Sequence, residues 1–321
     1  MIDPTSAKLA IVIPSHRRAD LLARCLESVT RFAPTSTDVV VVDDGSRDAV
    51  ISRTAQNYPG VRVLRFPKAR GFCHAANAGI RATSTPFIEL LNDDTEVCEH
   101  WTERALIEFD DASIGAVAPL LLLNDGRIDS AGDMYDVGGF AHKRSHGTRS
   151  EQEAGDVFGA CGAAAFYRRS ALDRTGLFPE SFGAYFEDVD LSFRLHWAGY
   201  RVKYQPSSKV FHVGGSSYGK KSRRLIERQS CNEERVYWRN LPNAMLWRSL
   251  PRHCAVLIGK ALRRWQEGTF LPFVVGRLRV LSEIGEIVRH RRKLRAMQPH
   301  ATGSEWCVAT AHCEQTHPSL K

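Results

Sequence analysis

The sequence predicts an α/β fold, a doubly wound and mostly parallel sheet extended at its C-terminal end by basic amphipathic helices. Three observations carry this. Short unbroken apolar runs alternate with stretches of three- and four-residue apolar spacing through the first hundred residues, the rhythm of strand, helix, strand. Two of the runs end in acidic clusters, Asp43-Asp44 and Asp93-Asp94, and ligands of such sheets gather at strand carboxyl ends. Charge is also partitioned: residues 1–219 hold 24 Lys and Arg against 28 Asp and Glu, whereas residues 220–300 hold 19 against 6.

The elements follow in order. Residues 9–13 are a continuous apolar run, as a strand buried on both faces requires. Leu21, Leu22, Cys25, Leu26, Val29 and Phe32 then mark one face of a helix. Residues 39–42, 61–66 and 87–91 read as further strands, with a helix over 73–82. The stretch 111–155, rich in Gly and Asp, reads as loops with one added strand at 115–121. Residues 159–167 predict a strand, 189–198 a helix, and 202–205 and 209–212 two short strands around Pro206. The domains expected are a catalytic unit over 8–215, a basic helical region over 216–297 and a disordered tail over 298–321.

Composition narrows the function classes. With 321 residues, 43% hydrophobic and 25% charged, the chain can build a core without metal or disulfide staples, and disorder is excluded as its main state. Eight scattered cysteines with no C-x-x-C pair point away from a disulfide framework or zinc ribbon and towards a reduced, cytosolic compartment. Residues 1–8 lack a signal-peptide pattern. No apolar run approaches the ~18 residues of a membrane span.

Four motifs carry candidate chemistry. Asp43-Asp44-Gly45-Ser46 either opens a turn or offers acceptors to a base edge and ribose hydroxyls. Asn92-Asp93-Asp94-Thr95 is either a turn or a seat for a hard divalent cation, which takes oxygen ligands. Glu187-Asp188-Val189-Asp190 either caps a helix and complements its dipole or supplies a carboxylate tuned upward by the aromatic approach Tyr185-Phe186. His212 is either structural or, with the Gly-Ser run and basic residues 220–224 after it, closes over a phosphate. Cys307, His312, Cys313 and His317 have no recognised zinc spacing.

In this order, Ile13-Pro14-Ser15, Asp43-Asp44-Gly45-Ser46, Arg70-Gly71-Phe72 with Asn77-Ala78-Gly79, Asn92-Asp93-Asp94-Thr95, Glu187-Asp188 and His212 resemble the family 2 glycosyltransferases of GT-A fold, a Rossmann-like architecture, in their bacterial rhamnosyltransferase-like branch. The likeness covers roughly residues 8–215, with Ala69 where an Asn is common. It implies an inverting transferase that moves a hexosyl or deoxyhexosyl group from a nucleotide-diphospho-sugar to a saccharide or lipid-linked acceptor, in cell-surface polysaccharide biosynthesis. It places base and ribose at Asp43 or Asp44, with Pro14, Ser15, Gly71, Asn77, Asp93 and Glu187 also on the donor side. It implies Mg²⁺ or Mn²⁺ at Asp94 with His212, and Asp188 as the catalytic base. A sugar nucleotidyltransferase would need a Gly-rich turn where Pro14-Ser15-His16-Arg17-Arg18 stands. A nucleic-acid binder built on residues 220–239 has no accompanying module, so no nucleic acid is expected. The amphipathic pattern over 254–288, running into Arg289-His290-Arg291-Arg292-Lys293, fits an anionic membrane surface reached peripherally from the cytoplasm.

Overall fold

A computed structural model of the protein describes residues 8–150, 152–213, 222–297 and 308–309. Its strands are β1 (Leu9–Ser15), β2 (Asp38–Asp43), β3 (Val61–Arg65), β4 (Phe87–Leu91), β5 (Thr95–Val97), β6 (Ile114–Leu122), β7 (Ile128–Ser130), β8 (Asp133–Asp136), β9 (Phe140–Lys143), β10 (Gly155–Val157), β11 (Ala164–Arg168), β12 (Arg201–His212) and the two-residue β13 (Val308–Ala309). The helices are α1 (Ala19–Phe32), α2 (Val50–Ala55), α3 (Phe72–Arg81), α4 (Trp101–Leu106), α5 (Arg169–Thr175), α6 (Glu187–Trp197), α7 (Arg223–Asn240), α8 (Asn243–Gln266), α9 (Phe270–Arg279) and α10 (Ile284–Met297).

The main sheet runs β10-β12-β6-β11-β4-β1-β2-β3. β1 lies parallel to both β2 and β4, and β2 parallel to β3. β11 is antiparallel to both β4 and β6, and β6 is parallel to β12. Reversed β11 thus sits between parallel strands, and the sheet is mixed, since β10 and β5 run antiparallel to β12 and β7 to β6. The carboxyl ends of β1, β2, β4, β6 and β12 therefore share one edge with the segment that leads into β11. Two apolar cores cover the two faces: one includes Val12, Val40 and Leu90, the other Ile11, Ile13 and Val41, so alternate residues of the same strands serve opposite layers.

Three expectations change in detail. The two short strands around Pro206 are one strand, β12, whose register slips between Gln205 and Lys209; an irregularity is where proline is tolerated in a sheet. The strand expected from residue 159 begins only at Ala164, because the preceding backbone turns toward α6. The stretch expected as loops contains β7 on the main sheet and the β8–β9 hairpin.

The basic helices pack on the sheet domain. Val236 and Tyr237 of α7, Leu241 and Leu246 join the core that also holds Leu191 and Phe193 of α6. Buried Asp190 accepts from Arg194 Nε at 2.9 Å and from Asn240 Nδ2 at 2.8 Å, and Arg239 Nε lies 3.1 Å away. These partners hold its carboxyl far below the usual range against the opposing effect of burial. Among the described residues no helix is long and apolar enough to cross a membrane.

Candidate active site

The strand-end edge collects most of the acidic motifs. Asp43 is fully buried and builds its own turn. It accepts from Ser46 N at 2.7 Å, Ser46 Oγ at 3.0 Å and Ser52 Oγ at 2.6 Å. Burial alone would raise its pKa, but these donors hold it below the ordinary value. Asp44 accepts from the backbone of Arg70 at 2.6 Å and Gly71 at 2.9 Å, fastening the Arg-Gly loop beneath the edge. The close approach needs Gly45: at φ 66° a Cβ there would meet Ala69 N at 2.4 Å.

Pro14 sits on β1 beyond its last pairing with β4, so no ladder bond to that strand is lost. Ser15 Oγ donates to Asp93 Oδ2 at 2.5 Å. Burial pushes Asp93 up to about 6, with the neighbouring Asp94 charge adding to it. Asp94 Oδ1 is buried without a well-formed hydrogen bond among the described residues and lies 3.3 Å from His212 Nε2. The other ring nitrogen of His212 lies 2.8 Å from Asp129 Oδ2. Burial works against its charge, but the two carboxylates raise its pKa to about 9. Asp129 also accepts from Lys143 Nζ at 2.6 Å.

The second half of the site is the start of α6. Tyr185 and Phe186 have φ of 73° and 66°, the left-handed region that such bulky side chains avoid. Buried Asn232 of α7 pins this turn, its Nδ2 lying 3.0 Å from Phe182 O, 3.0 Å from Ala184 O and 2.9 Å from Tyr185 O. The turn delivers half-buried Asp188 to the edge, where Oδ2 accepts from Gly162 N and Oδ1 from Val189 N, both at 2.8 Å. A Cβ on Gly162 would come 3.1 Å from that Oδ2. Burial raises the Asp188 pKa despite these two donors. Glu187 beside it rises to about 8 through burial and the Asp188 charge, and among the described residues its Oε2 has no hydrogen-bond partner.

Asp188, Asp133 and Cys161 place ligand-type atoms within 4.8 Å of one another. Burial and the Asp188 charge push Asp133 well up, and burial pushes the Cys161 thiol up. A protonated thiol is a poor partner for an oxygen-seeking cation, so this trio reads as two close carboxyl groups, Asp133 and Asp188, with a thiol beside them. For a divalent ion the better fit is Asp94 and His212, a hard carboxylate oxygen 3.3 Å from an imidazole nitrogen.

The structure thus brings together Ser15, Asp44, Gly71, Asp93, Asp94, Glu187, Asp188 and His212. Asn77 stands apart, its amide exchanging two hydrogen bonds with the Phe178 backbone at 2.8 and 3.0 Å. The sequence reading passed over Asp129, Asp133, Lys143, Gly162 and Asn232. The close Asp129/Asp133 spacing in a Gly-rich stretch was the one available signal, and nothing local pairs either with His212. Gly214 to Ser217 and Lys220 to Lys221 lie outside the described residues, as do Cys307, His312, Cys313 and His317.

A mixed sheet whose parallel strand ends hold such a group is the architecture of the GT-A glycosyltransferases. Solved structures of that kind superpose on it: GalNAc-T7 with UDP, GalNAc and Mn²⁺ (TM-score 0.59, 18% identity, 73% of this chain and 48% of that one), and a mannosyltransferase of Pyrobaculum calidifontis with GDP-Man and Mn²⁺ (TM-score 0.54, 17% identity, 91% and 86%). The sequence profile of Glycosyl transferase family 2 matches residues 10–176, and the chain belongs to that family. It is 31% identical over 220 residues to the pre-mycofactocin glycosyltransferase of Mycobacterium tuberculosis, covering 65% of this chain and 43% of that one. It is 27% identical over 246 residues to the N-acetylglucosaminyl-diphospho-decaprenol L-rhamnosyltransferase of the same organism, covering 66% and 78%. The chain therefore spans less than half the length of the first of these relatives.

Proposed function

We propose that the protein is an inverting glycosyltransferase that moves a hexosyl or deoxyhexosyl group from a nucleotide-diphospho-sugar to a hydroxyl of a saccharide or lipid-linked acceptor, in the assembly of cell-surface polysaccharide at the cytoplasmic face of the membrane. One observation carries the reading: Asp188, a carboxylate made more basic by burial, is held by two backbone N–H groups at the edge where the donor-side acids converge. The donor lies over Ser15, Asp44, Gly71 and Asp93, while Asp43 and Asn77 serve by holding the turns around it. Asp188 accepts the proton of the acceptor hydroxyl as that oxygen bonds to the anomeric carbon and the bond to the diphosphate breaks. One carboxylate suffices, because no covalent sugar–enzyme intermediate is needed. Asp94 and His212 would hold Mg²⁺ or Mn²⁺, which supplies charge stabilisation to the departing diphosphate. Lys143 holds Asp129, and Asp129 fixes the His212 ring.

The test is a panel of nucleotide-sugars screened by thermal stabilisation with and without Mn²⁺, followed by transfer assays on the donors that bind. Stabilisation by one nucleoside diphosphate series only with Mn²⁺ is the expected result. No stabilisation by any member would refute the reading.

A further inference from the structure

The C-terminal helices carry apolar surface that no other described residue covers. On α8 the inward residues Leu246, Ser249 and His253 are buried, and Lys260 reaches back to Glu233 at 2.5 Å. Trp247, Ile258, Leu262 and Trp265, spaced by whole helical turns, are instead 65%, 62%, 63% and 70% exposed. A second row continues over α9 and α10 through Leu278, Leu281, Ile284 and Val288. Scattered exposed apolar residues are ordinary, but contiguous rows mark contact sites.

Where the start of α8 meets α10, a groove of about 470 Å³ opens between these rows. Trp238, Leu246, Trp247, Ile287 and Val288 form its apolar wall, and Arg291, Arg292 and Arg295 line it as well. Arg291 is fixed there by the carbonyls of Trp238 and Leu241, at 2.7 and 2.8 Å. Charge complementarity selects the occupant. Residues 243–297 hold twelve Lys and Arg against three Glu, and Glu267 and Glu283 are paired with arginines. A second copy of the chain would set this basic rim against itself. A nucleic-acid strand would match the rim and leave the apolar rows in water.

We propose that this groove seats an anionic phospholipid of a membrane surface, with an acyl chain against the Trp247–Val288 wall and the phosphate at Arg292 and Arg295. The outward rows of α8, α9 and α10 lie in the interfacial layer around it, as apolar faces flanked by cations do. The site is separate from the sugar-transfer edge, and its test does not depend on which donor is used.

The experiment is co-sedimentation of the full chain with vesicles of phosphatidylcholine alone or mixed with phosphatidylglycerol, at low and high salt. Binding is expected only to the mixed vesicles and should weaken with salt. Arg292→Gln with Arg295→Gln should weaken it about 30-fold, at about 1 kcal/mol for each cation near the surface. Val288→Asp replaces an exposed residue, so it should lower binding while leaving the melting temperature unchanged. Equal binding to neutral vesicles, absence of binding, or variants that bind like the parent would overturn the proposal. So would a lipid-free dimer that shields Trp247 from a collisional quencher, or tighter binding of RNA than of vesicles at the same salt.

Discussion

Asp188→Asn isolates the proton-accepting role of the edge carboxylate. The substitution preserves volume, but its amide has one oxygen where the carboxylate offers two, and Asp188 uses both, one on Gly162 N and one on Val189 N. One N–H is left facing an NH₂ group, which costs about 1–3 kcal/mol of stability. That is small enough to leave the fold intact. Transfer should fall about 10²–10⁴-fold, the usual contribution of general base assistance, while donor affinity stays within a few-fold. The parent's kcat/KM should rise as pH climbs through the Asp188 pKa, because the base must be ionised. Since burial raises that pKa, the acid limb should lie above the ordinary carboxylate range, near 4. Initial rates with a labelled donor across pH, with calorimetry of donor binding, measure both effects. Transfer by the variant within a few-fold of the parent, or a limb at about pH 4, would refute the reasoning and leave Asp188 as a helix-start group.

Asp94→Ala should abolish the Mn²⁺ dependence of nucleoside diphosphate binding in calorimetry while sparing weak metal-free binding. Glu89→Gln probes a buried carboxyl that burial raises to about 8, with Trp101 Nε1 3.0 and 3.1 Å from its two oxygens. A folded pKa above the unfolded one means the native state binds more protons, so the parent should lose stability between about pH 4.3 and 8, by up to ~1.4 kcal/mol per pH unit. Urea melts should therefore show the Gln variant gaining on the parent as pH rises through that window and levelling off above it. Asn232→Ala removes the donor that holds the left-handed Tyr185-Phe186 turn; a loss of about 1–3 kcal/mol in stability should come with a disproportionate fall in kcat relative to KM.

The strand-end half of the candidate site is legible in the sequence because each part of it is local. A continuous apolar run followed by acids announces both a parallel strand and its carboxyl end, and Asp43, Asp44, Asp93 and Asp94 lie where that logic puts them. The other half is assembled from distant segments. His212 meets Asp129 across 83 positions, and Asp129 sits in a Gly- and Asp-rich stretch whose short strands lack periodicity. Asn77 fits the motif order, but only the packed structure shows its amide spent on the Phe178 backbone. The faces of α8 divide by ion pairing as much as by hydropathy, since Lys260 turns inward to Glu233 and Trp265 outward.

The hold that α7 keeps on α6 has a mechanical consequence. Asn232 braces the turn before Asp188, and Asn240 with Arg239 grips Asp190 two residues after it. A chain cut before α7 would leave Asp190 with Arg194 alone and release the strained turn at once, so such a truncation disturbs the strand-end edge as well as removing the C-terminal helices. The same bracing ties the position of α7 to that of the turn before Asp188 in the intact protein. Were a displacement of α7 to shift Asp188, thermodynamic reciprocity would require occupancy of the edge to alter the binding that displaced α7 to the same degree.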